Sequence, residues 1–292
     1  MKRFARYAGW AVAALVLSIG AAVGWLKLHE DALVFATARS KLHLVKDLPR
    51  DVERISVPLP GGAALAGVLF RAEAPADAGY WVLHLHGNAE SAFSPSQLEH
   101  CETLRRAGFS VMDVDYRGFG MSPGSASETA MDEDAEAAFA ALLERGVPQE
   151  RIIVLGHSLG SGPAVLLAMR HRPAALVLFG AFTAIPDAAA DRYPLLPVRY
   201  VTSVRFDSLG RIGDVHVPVI VVHSRTDTVI PYSHALRLYA AASDPKRLVT
   251  FDRPADDGFG GHVDSLFQNI SALKTALAAV LPQPPAATER RN

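Results

Sequence analysis

The stretch that most constrains this chain is Arg151-Ile152-Ile153-Val154-Leu155-Gly156-His157-Ser158-Leu159-Gly160. An apolar, β-branched run long enough for a buried strand ends in Gly-x-Ser-x-Gly, and Gly162, Pro163 and an Ala/Leu-rich helical pattern follow at once. Strand, tight turn and helix in that order force the central serine into a strained backbone conformation. Small residues two positions to either side, Gly156 and Gly160, let such a turn close. The turn lifts the Ser158 hydroxyl above the sheet edge, and the Leu159 N–H, at the start of the helix, points at the same space and can stabilise a developing oxyanion. The five-residue pattern is built from common residues and gains its weight from the strand before it and the helix after it. It raises the question of whether an acid, a base and a second oxyanion donor occur in the right chain order.

A chain of 292 residues can bury a large core and fits one α/β domain with an appendage better than two independent domains. The net charge of −1, with no long basic cluster, argues against a nucleic-acid partner. A single cysteine, Cys101, excludes an intramolecular disulfide, and its place in a predicted amphipathic helix makes it a small packing residue. Neither a cofactor nor a metal is expected.

Lys2, Arg3 and Arg6 precede a charge-free run from Tyr7 to Leu26, about as long as a bilayer core requires, with Trp10 and Trp25 near its ends. Residues 1–29 therefore read as a transmembrane anchor, the rival being a cleaved signal sequence ending near Ala21, Ala22 and Gly24. Residues 30–281 read as one α/β domain, the candidate catalytic domain. Strands are predicted at Glu53–Pro58 and Ala64–Arg71 as an edge hairpin, then at Tyr80–His86, Phe109–Asp115, the run before Ser158, Ala175–Phe179, Val219–His223 and Arg247–Phe251. Helices are predicted at Pro95–Ala107, Ser127–Arg145, after Ser158, at Tyr232–Ala242 and over Val263–Val280. Ser125 with Glu128 offers a capping box for the second of these, and Asp132, Glu133 and Asp134 suit the positive end of its dipole. This alternation predicts a mostly parallel sheet of about eight strands with helices on both faces and functional loops at the strands' carboxyl ends. Residues 182–218 form a short Pro-rich cap segment, and 282–292 read as a disordered tail.

Asp227 lies in the loop after the strand ending at His223, with Pro231 placed to open the next helix. It is the leading acid, ahead of Asp252, Asp256, Asp257 and Asp264, which lie close in sequence to His262; a plain turn-forming role is the alternative for Asp227. His234 falls within a helix and faces away from that loop, leaving His262, in Gly258-Phe259-Gly260-Gly261-His262, as the base. His157 neighbours Ser158 and points elsewhere. His84 and His86 alternate on one strand face without further metal ligands to join them. The loop after that strand, His86-Gly87-Asn88, is where a second oxyanion donor belongs, and the Asn88 N–H is assigned to it.

Together with Asp115-Tyr116-Arg117-Gly118-Phe119-Gly120-Met121-Ser122, these motifs resemble the α/β-hydrolase superfamily, and within it the membrane-anchored branch that includes acyl-protein thioesterase-like depalmitoylating proteins and bacterial relatives. The resemblance covers about Glu30 to Leu281. It implies an α/β-hydrolase fold with Ser158, Asp227 and His262 as nucleophile, acid and base, and Asp115–Ser122 as the loop under the site. The short segment between the sixth and seventh strands implies a small cap and an open pocket. The expected function is hydrolysis of a small-molecule or lipid-like acyl ester or thioester, favouring short to medium acyl chains. A serine peptidase on the same fold, or a catalytically silent membrane-tethered interaction module, are the alternatives. Basic residues ahead of the apolar run keep the amino terminus inside, which predicts an extracytoplasmic catalytic domain, periplasmic in a Gram-negative cell.

Overall fold

The structure is a computed structural model that describes residues 2–72, 79–194, 196–252, 260–263, 267 and 269–282, with the side chains at 2–6, 8, 11, 12 and 15 left out. In chain order the strands are β1 (Val52–Pro58), β2 (Ala64–Phe70), β3 (Trp81–Leu85), β4 (Ser110–Val114), β5 (Ile152–His157), β6 (Ala175–Phe179), β7 (Val219–Ser224) and β8 (Lys246–Phe251). They form one eight-stranded sheet in the order β1-β2-β4-β3-β5-β6-β7-β8. β2 runs antiparallel to both β1 and β4, and every other pairing is parallel. The predicted edge hairpin is therefore present. Gly61 and Gly62, at φ +87° and +86°, make its turn.

The unbroken apolar runs of the central strands follow from burial on both faces. Ile152 and Val154 of β5 pack into one core, and Ile153 and Leu155 into the other. The first core is closed by α5 (Glu128–Glu144), α6 (Ser161–Arg170) and α10 (Tyr232–Ala241), through residues such as Met131, Phe139, Val165 and Leu238. The second is closed by α4 (Pro95–Arg106) and α11 (Ile270–Ala278), through Leu98, Cys101, Leu104, Leu273 and Leu277. Two sequence expectations shift here. The cap of α5 is Ser127, whose hydroxyl accepts from the Ala130 N–H, so Ser125 is not the capping residue. The carboxyl-terminal helix is described from Ile270, and the predicted start at Val263 runs into residues outside the description.

At the amino terminus, α1 (Lys2–Leu28) is followed by two short turns of helix, α2 (Glu30–Val34) and α3 (Thr37–Ser40). Tyr7, Trp10, Leu17 and Trp25 of α1 are exposed. Among the described residues no helix is long and apolar enough to cross a membrane; α1 covers the run in which the sequence places a transmembrane anchor. The cap segment contains α7 (Ile185–Arg192), α8 (Val198–Val201) and α9 (Ser208–Arg211). The Glu30 carboxylate ties the start of α2 to this segment by accepting from the Ser203 hydroxyl and from the Ser203 and Val204 N–H groups.

The acidic residues of α5 have a use that their place at a helix start does not suggest. Asp134 accepts from the Arg117 N–H at 2.7 Å and from its Nε at 2.6 Å, and Glu133 accepts from Nη2 at 2.6 Å, which fixes the loop after β4. Within that loop buried Asp115 accepts from the Ser91 hydroxyl and from the Ala92 and Met121 N–H groups. Burial pushes its carboxyl pKa up, and His86 together with these bonds offsets part of the rise. Gly120 sits at φ +43°, where a Cβ would lie 2.0 Å from Asp115 Oδ2 and 2.3 Å from Ser91 Oγ. Gly120→Ala should therefore lower unfolding stability by about 2 to 4 kcal/mol, read as a shift of the urea midpoint at unchanged slope. A loss below about 0.5 kcal/mol, the scatter of ordinary surface substitutions, would show that this loop adapts.

Candidate active site

Ser158 stands where β5 gives way to α6, at φ +48°, in the left-handed region that a residue bearing a Cβ rarely adopts. The two flanking glycines are required by close approach. A Cβ on Gly156 would meet Ala164 Cβ at 2.6 Å and the Gly160 carbonyl at 2.7 Å, and one on Gly160 would meet the Leu85 carbonyl oxygen at 2.1 Å. β3 and β5 are parallel neighbours, with Leu85 opposite Gly156, so their following loops emerge side by side.

The loop after β3 carries Asn88, whose side chain fastens it to the connector between α2 and α3. Nδ2 donates to the Val34 carbonyl at 2.7 Å, and Oδ1 accepts from the Ala36 N–H at 2.8 Å and the Ala89 N–H at 3.1 Å. Ala89 takes φ +62°, so this turn is strained too. Leu159, directly after Ser158, is buried with its backbone at the entry to α6.

Asp227 follows β7, and its two carboxylate oxygens have separate tasks. Oδ1 accepts from the Val229 and Ile230 N–H groups, each at 2.8 Å, which folds the turn. Oδ2 accepts from His262 Nδ1 at 2.7 Å, and His262 Nε2 lies 2.9 Å from Ser158 Oγ. The turn-forming and imidazole-orienting readings of Asp227 thus both apply, one to each oxygen. Because the carboxylate only accepts, His262 carries its proton on Nδ1 and turns an unprotonated Nε2 toward the serine hydroxyl. Asp252 instead pairs with exposed Arg225 at 2.5 Å, and Asp256, Asp257 and Asp264 lie outside the described residues.

Burial shapes the charges of this group. It works to raise the Asp227 carboxyl pKa, but hydrogen bonds from His223 and His262 outweigh it and hold the group well below the usual carboxylate range. For His262 burial is the leading influence and depresses the imidazole pKa below its ordinary 6.5, against the opposing pull of Asp227. His262 is 5 % exposed, so the neutral imidazole is kept in a dry setting.

Three participants escaped the sequence reading. His223 Nε2 lies 2.9 Å from the Ile230 carbonyl and 3.3 Å from Asp227 Oδ2, bracing the carboxylate from the strand below. His157 turns away from Ser158 as expected, yet its Nε2 bonds the His262 carbonyl at 3.0 Å and its Nδ1 bonds Glu90 Oε2 at 3.2 Å. Only the nearness of Glu90 to His86-Gly87-Asn88 hinted at such a role. His234, set aside in the sequence, is buried and joins α10 to the cap segment through Thr183 and Asp191.

Away from this group, His84 Nδ1, Cys101 Sγ and an Asp113 oxygen lie within 4.8 Å of one another, so Cys101 does have neighbours that could share an ion. The set is one donor short of a closed tetrahedral zinc site. Burial and the Asp113 charge push the Cys101 thiol pKa well up, away from the thiolate a metal takes.

The family described as "Serine aminopeptidase, S33" matches residues 77–207. The uncharacterized protein YfhR of Salmonella typhi is 30% identical over 251 residues, covering 79% of this chain and 84% of that protein. The lysophosphatidylserine lipase ABHD12 of Danio rerio is 31% identical over 185 residues, 57% of this chain and 48% of the lipase. Several curated relatives are spanned over only 48% to 59% of their length. Among solved structures, an esterase of Pyrococcus furiosus superposes with TM-score 0.63 at 16% identity, covering 80% of this chain and 95% of the esterase, a likeness of fold. The chain belongs to the α/β-hydrolase superfamily.

If Asp227 orients His262, Asp227→Asn should lower kcat by about 10⁴, as loss of the orienting carboxylate does in the serine-protease template. Asp252→Asn should leave kcat within about threefold, since it breaks only an exposed pair. A larger loss from Asp252→Asn than from Asp227→Asn would reverse the assignment.

Proposed function

We propose that the protein is a serine hydrolase that cleaves a carboxylic ester or thioester through an acyl-enzyme on Ser158. The observation that carries this reading is His262, bonded at once to Asp227 at 2.7 Å and to Ser158 at 2.9 Å. In the first half-reaction Ser158 Oγ attacks the acyl carbonyl while its proton passes to His262 Nε2, and Asp227 stabilises the imidazolium so formed. The Asn88 and Leu159 N–H groups receive the oxyanion. The intermediate collapses with His262 returning the proton to the leaving alcohol or thiol. Water, deprotonated by the same nitrogen, then attacks the acyl-serine and releases the acid.

Peptide hydrolysis is the second reading, favoured by the aminopeptidase family match. An aminopeptidase needs a carboxylate to receive the substrate ammonium, whereas among the described residues Asp227 is engaged with His262 and His223, and Glu90 with His157. Ester and thioester substrates make no such demand.

An apolar cavity of about 300 Å³, lined by Trp25, Leu33, Val34, Ile185, Leu196 and Val201 among others, supports a substrate with an acyl tail of limited length. Its wall residue Val34 is the one that accepts from the Asn88 side chain, so the cavity adjoins the loop assigned to the oxyanion.

The membrane reading rests on the sequence. Tyr7–Leu26 is twenty uncharged residues following Lys2, Arg3 and Arg6, a pattern that keeps the amino terminus inside and carries the domain across. We place the catalytic domain on the extracytoplasmic side, tethered by this uncharged run of sequence.

Ser158→Ala should abolish labelling by a fluorophosphonate and lower kcat by about 10³ or more, and undiminished hydrolysis would end the mechanism. On the acid side, wild-type kcat/KM should fall through an apparent pKa below 6.5, because protonation removes the base and the fold depresses that protonation. Along a ladder of p-nitrophenyl esters, kcat/KM should climb about fourfold per methylene over short chains and level off before palmitoyl. A climb that continues to palmitoyl would contradict the limited cavity. Alkaline phosphatase fused to the carboxyl terminus should be active in intact cells; an inactive phosphatase beside a bright cytosolic reporter would refute the topology, and recovery of a mature chain starting near Trp25 would refute the tether.

A further inference from the structure

Beneath the triad lies a second His–carboxylate pair, between the two loops that the reaction must hold in register. His157, the last residue of β5, is 1 % exposed, and both of its ring nitrogens face acceptors. Nδ1 lies 3.2 Å from Glu90 Oε2, and Nε2 lies 3.0 Å from the His262 carbonyl oxygen. A carbonyl cannot donate, so Nε2 must carry a proton. At Nδ1 the proton could sit on either partner. Glu90 Oε2, however, also accepts from the Gly87 N–H at 2.6 Å, a short contact of the kind made by an ionised carboxylate. An imidazolium between two acceptors satisfies every contact.

We propose that Glu90 and His157 form a largely buried ion pair that positions the catalytic machinery, holding the His262 backbone at one end and the oxyanion loop, through Gly87, at the other. The inference rests on the Ser158 hydrolase reading for its catalytic meaning, and on geometry alone for the charge state. Packing leaves no slack in the pair. A Cβ on Gly87 would meet Glu90 Oε2 at 2.9 Å and His157 Nδ1 at 3.1 Å. Phe179 stacks on the His157 ring at 4.8 Å between centroids and 17° between planes, closing one face with hydrocarbon.

The charge has an electrostatic consequence. The His157 and His262 ring centroids are 5.5 Å apart. A cation at that distance in a dry site disfavours a second cation on His262 and helps to keep the base neutral. The groups acting on His157 are Glu90 and Asp227, which favour its charge, against burial, which opposes it and is outweighed. Those acting on His262 are Asp227, which favours protonation, and His157 and His223, which oppose it alongside burial. Glu90 is held ionised against its burial by His157, with lesser help from His86 and His100.

The test is a histidine ¹⁵N NMR titration of the full chain, run beside the pH profile of kcat/KM. In the wild type, both His157 nitrogens should bear protons at pH 7. In Glu90→Gln the amide can still occupy the site but carries no charge. His157 should then become neutral, and the His262 pKa should rise by about half to one pH unit, moving the acid limb of kcat/KM upward equally. His157→Leu removes the donor to the His262 carbonyl and should lower kcat at least about tenfold with little change in KM, whereas His157→Gln, which can still donate there, should recover part of that loss. A neutral His157 in the folded wild type, or a His262 pKa unmoved in folded Glu90→Gln, overturns the inference. Absence of ester hydrolysis and of fluorophosphonate labelling in the wild type would instead overturn the hydrolase reading, and the ring spectra would still decide the ion pair.

Discussion

The backbone at Gly160 has no room for a single methyl group, because the Leu85 carbonyl lies 2.1 Å from where it would stand. That contact presses the turn after β5 against the end of β3. With it go the left-handed backbone of Ser158 and the side-by-side emergence of the loops after β3 and β5. Strain of this kind, of order 1 to 3 kcal/mol per residue, persists only when surrounding structure over-determines it. Here the over-determination comes from strands buried on both faces, whose parallel register delivers the loops after β3, β5, β7 and β8 to one edge.

Much of this was readable from residue order. The strands were legible because β-branched runs of five or six residues end in turn chemistry, and the nucleophile turn because Gly156 and Gly160 flank a serine between strand and helix. Asp227 and His262 could be paired by elimination and by the order in which the strands deliver their loops. What the sequence could not disclose were contacts between residues far apart in the chain that obey no periodicity. Glu90 and His157 are separated by 67 positions, and neither stands in a motif that announces a pair. The cap of α5 was misread for a different reason: Ser125 and Ser127 both precede an acidic helix start, and only the backbone decides which hydroxyl reaches the free N–H.

The buried ionisable groups follow a common logic. Asp227 and Glu90 each sit against buried histidines, and in both the pairing outweighs burial and lowers the carboxyl pKa. Asp227 has His262 and His223, and Glu90 has His157 and the Gly87 N–H. Asp115, which has backbone and hydroxyl donors with a more distant histidine, stays above the usual value because these partners do not fully offset its desolvation.

The divided carboxylate of Asp227 places two kinds of selection on one side chain. One oxygen answers to folding, since it closes the turn that leads into α10, and the other meets His262, the base of the proposed reaction. An asparagine keeps the first oxygen and forfeits the second, so a chain can lose its reaction here without losing its shape. A glutamate would retain the charge but lengthen the arm, and the turn and the imidazole could no longer be served from one Cγ. Drift at this position would therefore leave, as its signature, a well-folded relative that lacks the proposed reaction.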